Sequence, residues 1–278
     1  MEPIRRRGNA LSGRLAITAA PGVRGETVLR ERFHSVPFHL SKTYWDGTVL
    51  LVQVVNPTAG LFAGDCLEAR VAVESGAALL LTSPSACRAH TMAGGHARFA
   101  QSFIVEAGAW LELAPELLIP QSRSRYRQST TIDVADGGEI YFVETLAPGR
   151  VAHGETMAYA ELDWRFDLTV CGRLAARERA SVRPPDRCWM LEIAGWDHAY
   201  YATVWAVSPA LVDADLADQV EAMQDDGLLV GMTGSAVPGA VCVKVLARSS
   251  IVLRRALASV RAAFAPHLPK LASSPRKL

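Results

Sequence analysis

A glycine-centred repeat in the middle of the chain places the strongest limit on its fold. Three segments each contain an apolar run, a tight turn and a second apolar run, and they read VESGAALLLT (73–82), VEAGAWLELA (105–114) and VADGGEIYFV (134–143). The turn dipeptides Ser-Gly, Ala-Gly and Asp-Gly between such runs are typical of β-hairpins. Because each copy of a repeat buries its apolar face against the next, the sequence predicts a stacked β architecture of hairpin-connected strands.

Two α-helices are predicted to accompany these strands. The first begins at Ser208, a capping residue followed by proline, and ends near Gly227. The second covers 250–264, where apolar residues recur at helical spacing, and ends before Pro266. Further strands are predicted at 48–55, 162–170, 200–207 and 240–247. The predicted fold is therefore mostly β, with two accessory helices.

Charge and composition exclude some classes of partner. The 278 residues include 29 Lys and Arg and 28 Asp and Glu, a net charge of +1, which predicts neither nucleic-acid nor membrane binding. Half of the residues are apolar, and this content with so little net charge favours association into homo- or hetero-oligomers. No apolar run is long enough to span a membrane, and polar residues interrupt the segment after the basic N-terminus, so a cytoplasmic location is expected.

Glycine and proline are spread along the chain instead of collecting in one linker. We therefore expect a single domain over 1–278, with about 1–20 and 268–278 flexible. The five cysteines are widely spaced and lack a C-x-x-C pair, which favours reduced thiols over disulfides or a zinc site.

Histidine offers two candidate metal-binding pairs. His34 and His39 lie five residues apart, and His90 and His96 flank two glycines. Neither spacing matches an established ligand motif, and the alternating directions of strand side chains predict that His34 and His39 point apart. Surface or hydrogen-bonded histidines are the favoured interpretation. The chain also lacks the common nucleotide-binding, hydrolase and zinc-protease motifs.

Three carboxylates stand out because they lie in apolar or glycine-rich segments. Asp65 follows Gly64, Glu144 follows the apolar end of the third repeat, and Glu155 follows Gly154. A carboxylate that points into a β core must meet a base such as Arg150 or have a function. An internal salt bridge or a turn residue remains the alternative interpretation, and for Asp65 it is bonding of backbone amides in a turn.

Arginines at 123, 125 and 127 occupy alternate positions, so they are predicted to share one face of a strand. A solvated strand face is the favoured interpretation, and an anion or partner site is the alternative. The residues alone thus predict a soluble, mostly β protein without a recognisable catalytic site.

Five motifs in a fixed order resemble the urease accessory protein UreD family, called UreH in some bacteria. They are NPTAGLFAGDCL (56–67), LLLTSPSACRAH (79–90), LELAPELLIPQSRSRY (111–126), ETLAPGRVAHGE (144–155) and PGAVCVKVLARS (238–249). Several positions depart from the family pattern: Thr58, Ala59 and Ala63 replace Pro or Gly, and Arg88 stands where Lys is usual. The chain is therefore identified as a divergent member of this family.

The resemblance implies a fold and a function. The implied fold is a β-helix-like stack of strands with two accessory helices. The implied function is that of a non-enzymatic scaffold or chaperone for nickel insertion into apo-urease, in a complex with a UreF-like protein and a UreG-like GTPase. No tightly bound cofactor is implied, only nickel in transit. On this basis Asp65, Glu144 and Glu155 are expected to line or gate an internal polar nickel route, and Arg150 to orient a carboxylate.

Two alternatives remain open at this point. One is an enzyme on a β scaffold with Glu144 and Glu155 as an acid and base pair, which requires a defined separation of the two carboxyl groups. The other is a paralogous interaction protein without a metal role.

Overall fold

The computed structural model describes residues 10–184, 188–212 and 214–272. Its strands are β1 (Ser12–Pro21), β2 (Thr27–His34), β3 (His39–Leu40), β4 (Tyr44–Asp46), β5 (Val49–Val55), β6 (Cys66–Val73), β7 (Ala78–Thr82), β8 (Cys87–Ala89), β9 (Ala97–Val105), β10 (Trp110–Ala114), β11 (Leu118–Pro120), β12 (Arg125–Val134), β13 (Glu139–Leu146), β14 (Glu161–Val170), β15 (Arg173–Val182), β16 (Tyr200–Val207), β17 (Leu228–Gly234) and β18 (Ala240–Ala247). Its α-helices are α1 (Trp189–Ala194), α2 (Ala217–Glu221) and α3 (Ser250–Phe264). Short 3-10 helices cover Val151–His153, Pro209–Leu211 and Pro269–Ala272.

The strands form two sheets, and the middle of the chain alternates between them. The seven-stranded sheet has the order β15-β14-β12-β9-β6-β1-β2. The eleven-stranded sheet follows the path β17-β18-β16-β13-β10-β7-β5-β3, with β4, β8 and β11 at its margin. Parallel ladders join β1, β6, β9, β12 and β14 in one sheet and β5, β7, β10 and β13 in the other. Each coil therefore stacks on the previous one, which confirms the stacked, β-helix-like prediction.

The repeat turns connect strands differently from the prediction. β6 and β7, which flank Gly76, lie in opposite sheets and pair with other strands, so the turn is a corner between sheets and not a hairpin. The turns at Gly108 and Gly137 make the same corner, and the Gly108 amide donates to the Gly137 carbonyl at 3.0 Å. All three glycines have positive φ, between 68° and 79°. A hairpin within one sheet and a corner between two sheets both need a tight glycine turn, so the sequence pattern cannot distinguish them.

The main core lies between the two sheets. Alternate residues of both sheets point into it, including Ile17, Val71 and Phe103 from one sheet and Leu79 and Phe142 from the other. A second core lies on the opposite face of the eleven-stranded sheet, where α2 and α3 pack. The central strands of this sheet are consequently buried on both faces.

The helices agree with the prediction in part. α3 has the predicted bounds, and the Ser249 hydroxyl caps it by accepting from the Val252 amide at 3.2 Å. The predicted first helix is instead the 3-10 helix Pro209–Leu211 followed by α2, because apolar spacing does not specify a continuous helix. The short α1 is an additional helix without a long periodic pattern. Among the described residues, no helix has the length and apolar character required to cross a membrane.

Both ends of the chain are more ordered than predicted. β1 begins at Ser12 and pairs with β2 on one side and with β6 on the other. The prediction that about 1–20 is flexible is therefore wrong for the part from Ser12 onward. At the other end, Leu268 and Leu271 are buried in the second core. Apolar side chains at both ends explain this order, because each gains free energy by leaving water. Residues 1–9 and 273–278 lie outside the described residues.

Candidate functional site

Glu144 lies on the face of β13 that points between the two sheets. Strand alternation places it with Ile140, Phe142 and Leu146, which are all buried in the main core. Only 6% of Glu144 is exposed. The sequence left the direction of this carboxylate open, and the structure shows that it points inward.

Neutral polar groups surround the Glu144 carboxylate. The Gln128 side-chain amide donates to Oε1, and the Thr130 hydroxyl donates to the same oxygen at 3.2 Å. The Tyr126 hydroxyl in turn donates to the carbonyl oxygen of Gln128 at 2.7 Å. Among the described residues, no Lys or Arg forms a salt bridge with Glu144, so Arg150 is not its partner.

Burial raises the pKa of Glu144 to about 8, because the charged form loses its contact with water. The hydrogen bonds from Thr130 and Gln128 oppose this rise by stabilising the carboxylate, and the charge of Glu178 adds to it. The group is therefore mostly protonated at neutral pH, and a cation that reached it would compete with this proton.

Two cavities adjoin at Glu144 and Trp164, since both residues line both cavities. The first encloses about 330 Å³, and its wall includes Gln128, Glu116 and the exposed Arg88. The second encloses about 520 Å³ beside α1. Glu144 is therefore a wall residue of both cavities, together with Trp164.

The second cavity contains another carboxylate. Glu178 lines it from β15, and its Oε1 forms a salt bridge of 2.6 Å with Lys244 Nζ of β18. Glu178 and Lys244 are partly exposed, so this ion pair is open to water. Sequence reasoning missed Glu178, although its place in an alternating strand was a signal that it faces inward.

Arg150 and Glu155 contact each other directly. Arg150 Nε donates to Glu155 Oε2 at 2.9 Å, Nη2 donates to Oε1, and the Ser122 amide also donates to Oε2. These bonds stabilise the carboxylate and lower the pKa of Glu155. Gly149 permits the loop to close, because a Cβ there would lie 2.4 Å from the Glu155 carbonyl oxygen.

Asp65 holds a buried turn together. Its two carboxylate oxygens accept from the amides of Leu11 and Phe62, both at 2.8 Å, and the residue is 2% exposed. These contacts join the start of the chain to the turn before β6. They match the alternative interpretation of Asp65, in which an Asp after glycine bonds backbone amides.

The structure does not bring the three predicted carboxylates into one site. Of the three, only Glu144 lines the two cavities described above. No group of three or more His, Cys, Asp or Glu residues that could hold a metal ion occurs among the described residues. Glu144 and Glu155 also share neither of these cavities, so no observation favours their use as an acid and base pair.

The histidine pairs make local contacts. The rings of His34 and His39 lie 5.5 Å apart, edge to face, so the prediction that they point apart is wrong. The reason is that the chain reverses between β2 and β3, and strand alternation therefore does not relate the two rings. His90 stacks on Phe62, whereas His96 accepts a hydrogen bond from Arg98 at 2.6 Å.

A buried ion pair on the other face of the larger sheet was also missed. Glu112 of β10 is fully buried and accepts three hydrogen bonds of 2.9 to 3.1 Å from Arg261 of α3. Burial raises the pKa of Glu112 to about 7, and the Arg261 charge opposes this rise. An acidic residue in the alternating run WLELA was the available signal, but only the structure identifies its partner.

Sequence comparisons relate the chain to accessory proteins of urease. The family described as UreD urease accessory protein matches residues 12–278. The chain is 42% identical over 270 residues to urease accessory protein UreD of Opitutus terrae, which covers 96% of this chain and 99% of that protein. It is 32% identical over 260 residues to UreD of Mycolicibacterium gilvum, with 90% and 93% covered. It is 23% identical over 236 residues to urease accessory protein UreH of Helicobacter hepaticus, with 85% and 92% covered.

Proposed function

We propose that this chain, which belongs to the UreD family of urease accessory proteins, acts in urease maturation. In this role it is a non-enzymatic scaffold for nickel insertion into apo-urease. The family resemblance read from the five motifs is confirmed by the match over residues 12–278. The names of the relatives support the assignment to urease maturation. Docking of a UreF-like protein and a UreG-like GTPase is part of this proposal, as is a cytoplasmic setting.

The position of Glu144 is the observation that carries the mechanistic part of the proposal. In this proposal nickel passes through the interior along the two adjoining cavities and past the Glu144 carboxylate, which lines both of them together with Trp164. Gln128 and Thr130 hold that carboxylate by neutral hydrogen bonds, so no protein cation competes with an incoming metal ion there.

The chemistry of this site suits transfer better than storage. A carboxylate with amide and hydroxyl oxygens nearby binds Ni²⁺ less tightly than a set of imidazole or thiolate ligands does. Glu144 is mostly protonated at neutral pH, and ligands must be deprotonated to bind a metal, so nickel has to displace a proton. Both effects weaken the site and allow the ion to move on.

The other motif residues have supporting roles in this proposal. Asp65 fixes the turn that precedes β6, and Arg150 fixes Glu155 in the loop that follows β13. The route therefore depends on Glu144 directly and on the remaining motif carboxylates through the local backbone that they hold.

Replacement of Glu144 by glutamine tests the proposal. Urease would be purified from cells that contain all other accessory proteins and either the wild-type chain, Glu144→Gln, or no copy of the chain. We expect fully assembled but nickel-poor urease without the chain, and a reduced nickel content with Glu144→Gln, because the neutral amide cannot supply a carboxylate ligand. Metal analysis of the purified enzyme gives the readout.

Glu31→Gln is the matched control, since Glu31 is an exposed glutamate that bonds only Thr18 among the hydrogen bonds described. It should leave the nickel content of urease unchanged. Normal nickel content without the chain would overturn the maturation role. Normal content with Glu144→Gln alone would overturn the route past this residue and leave the scaffold role in place.

A further inference from the structure

The outer face of the seven-stranded sheet carries an array of arginines that the proposed nickel route does not use. We call this array the arginine face. Seven arginines belong to it, and three carboxylates lie among them, so the face has an excess of four positive charges on a chain whose net charge is only +1. The arginines are Arg98, Arg125, Arg127, Arg165, Arg177, Arg179 and Arg183, and the carboxylates are Glu161, Asp163 and Asp167.

Strand register brings these side chains from four strands into one surface. Arg127 of β12 lies directly between Arg98 of β9 and Asp163 of β14. Arg165 of β14 lies opposite Arg179 of β15. Because outward positions alternate along each strand, the ladder fixes the spacing of the guanidinium groups across the sheet.

The carboxylate side chains of the face are less exposed to solvent than its arginine side chains. The Glu161 side chain is only 9% exposed, and the guanidinium groups of Arg125, Arg127 and Arg183 lie over it at 3.1 to 3.7 Å. Those three arginine side chains remain 44% to 50% exposed. The buried carboxylate therefore orders the arginines, while their remaining N–H groups stay available to an external partner.

His96, which lies at the edge of the arginine face, is affected by the charges of that face. The pKa of His96 is lowered first by burial and then by the charges of Arg127 and Arg98, while Glu161 opposes the shift. At this ring the effect of the two arginines therefore outweighs that of Glu161.

We propose that the arginine face is the docking surface for an acidic face of apo-urease. This inference rests on the proposed function, which makes apo-urease the acceptor of the nickel. Arginine pairs with carboxylates in a two-pronged geometry, and here ion pairs with Glu161 and Asp167 hold most of the guanidinium groups in place. Asp163 and Asp167 within the array repel the continuous phosphates of a nucleic acid, whereas a protein surface can place its own basic groups beside them.

The location of the face supports the choice of the acceptor. Arg179 belongs to the arginine face and also lines the second cavity, next to Glu178. A protein that covers the arginine face at β15 therefore lies against the strand that forms one wall of the second cavity. In the proposed function this is where the enzyme that receives the ion should dock.

A charge-reversal pair tests the surface. Arg98→Glu combined with Arg165→Glu reverses two charges of the face, and neither residue contacts Glu161 in the structure. Arg14→Glu combined with Arg30→Glu is the matched control, because it reverses two exposed arginines on β1 and β2 of the same sheet. Purified apo-urease is the probe, and affinity is measured by surface binding at low and high salt.

We expect the first pair to weaken the binding of apo-urease about tenfold or more at low salt, with little loss from the control pair. Binding by the wild-type chain should weaken as salt rises, since salt screens exposed charges. Circular dichroism of both pairs checks that they fold. Unchanged affinity in the folded Arg98–Arg165 variant would overturn the inference, as would stronger binding of wild type to a DNA duplex than to apo-urease.

A second probe separates this inference from the proposed function. The UreF-like protein should bind the Arg98–Arg165 variant as well as it binds wild type. If the variant lost binding of the UreF-like protein but still bound apo-urease, the arginine face would be the site for the UreF-like protein. That result would overturn this inference and leave the proposed function in place. A wild-type chain that binds neither protein and leaves the nickel content of urease unchanged would overturn the proposed function itself.

Discussion

At the scale of single residues, Glu144 couples protonation to the stability of the protein. Its pKa in the folded protein is raised from 4.5 to about 8, so the folded state holds a proton that the unfolded state has released. Below pH 4.5, the pKa of the unfolded state, the bound proton makes its full contribution to stability. This contribution is lost as pH rises through about 8, the pKa of the folded state. The residue therefore reduces stability near and above neutral pH.

Glu144→Gln should raise the stability of the fold at pH 8 relative to wild type, by on the order of 2 kcal/mol. Glutamine has nearly the same shape, can still accept from Gln128, and carries no charge to bury. The gain should disappear near pH 4.5, where the glutamate is protonated in the folded state. Urea denaturation across this pH range measures the difference, and an equal effect at both ends would contradict the assigned titration.

At the scale of secondary-structure elements, the Glu112–Arg261 pair fixes α3 on the larger sheet. α3 covers the second core with Leu253, Val260 and Phe264, and Phe264 contacts Tyr141 edge to face. Apolar packing alone permits the helix to slide, whereas three hydrogen bonds to one carboxylate define its position. The ion pair therefore specifies where the helix lies as well as holding it in place.

Glu112→Ala should lower the free energy of unfolding by about 3 kcal/mol, because Arg261 then loses its buried partner. Glu116→Ala is the control, because Glu116 forms a more exposed salt bridge of 3.4 Å with Arg254. This substitution should lower the free energy of unfolding by less than about 1 kcal/mol. Chemical denaturation measures both values. Similar losses in the two variants would show that burial does not distinguish the pairs.

The predictable elements were those that local patterns define. β16, β18 and α3 have the predicted bounds, because a short apolar run and the helical spacing of apolar residues are both local features of the sequence. The repeat glycines located the corners but not the partner strands, since pairing between coils depends on residues that are distant in sequence. The reversal that brings His34 to His39 was unpredictable for the same reason.

At the scale of the whole molecule, two cavities adjoin beside the main core, at Glu144 and Trp164. Filling either cavity with apolar side chains would add buried area and stability, by roughly 25 cal/mol per Å². A β solenoid does not require such openings for its own assembly. Their meeting at Glu144 could not be predicted, because a cavity depends on the packing of both sheets, and the sequence also left the direction of the Glu144 side chain open.

Ala180→Phe should block the second cavity without changing the surface. Ala180 lines this cavity opposite Trp164 of β14, and a phenyl ring there would occupy space next to Glu144. We expect nickel-poor urease from cells with this variant, although apo-urease still binds it. Ala107→Phe is the control, because Ala107 is exposed in the corner between β9 and β10 and lines neither cavity. Normal nickel content with a well-folded Ala180→Phe would argue against passage through this space.

The parallel ladders also bear on how the protein is made. β6 pairs with β9, β9 with β12 and β12 with β14, so each strand in this series is completed by a neighbour that is synthesised one coil later. A chain leaving the ribosome can therefore add each coil to a finished template. The antiparallel strands β16 to β18 and α3 come last and cover the growing end and the outer face of the larger sheet. Until they emerge, a nascent chain exposes β13 as an open edge, and this is the stage at which a chaperone that recognises extended apolar strands would be needed most.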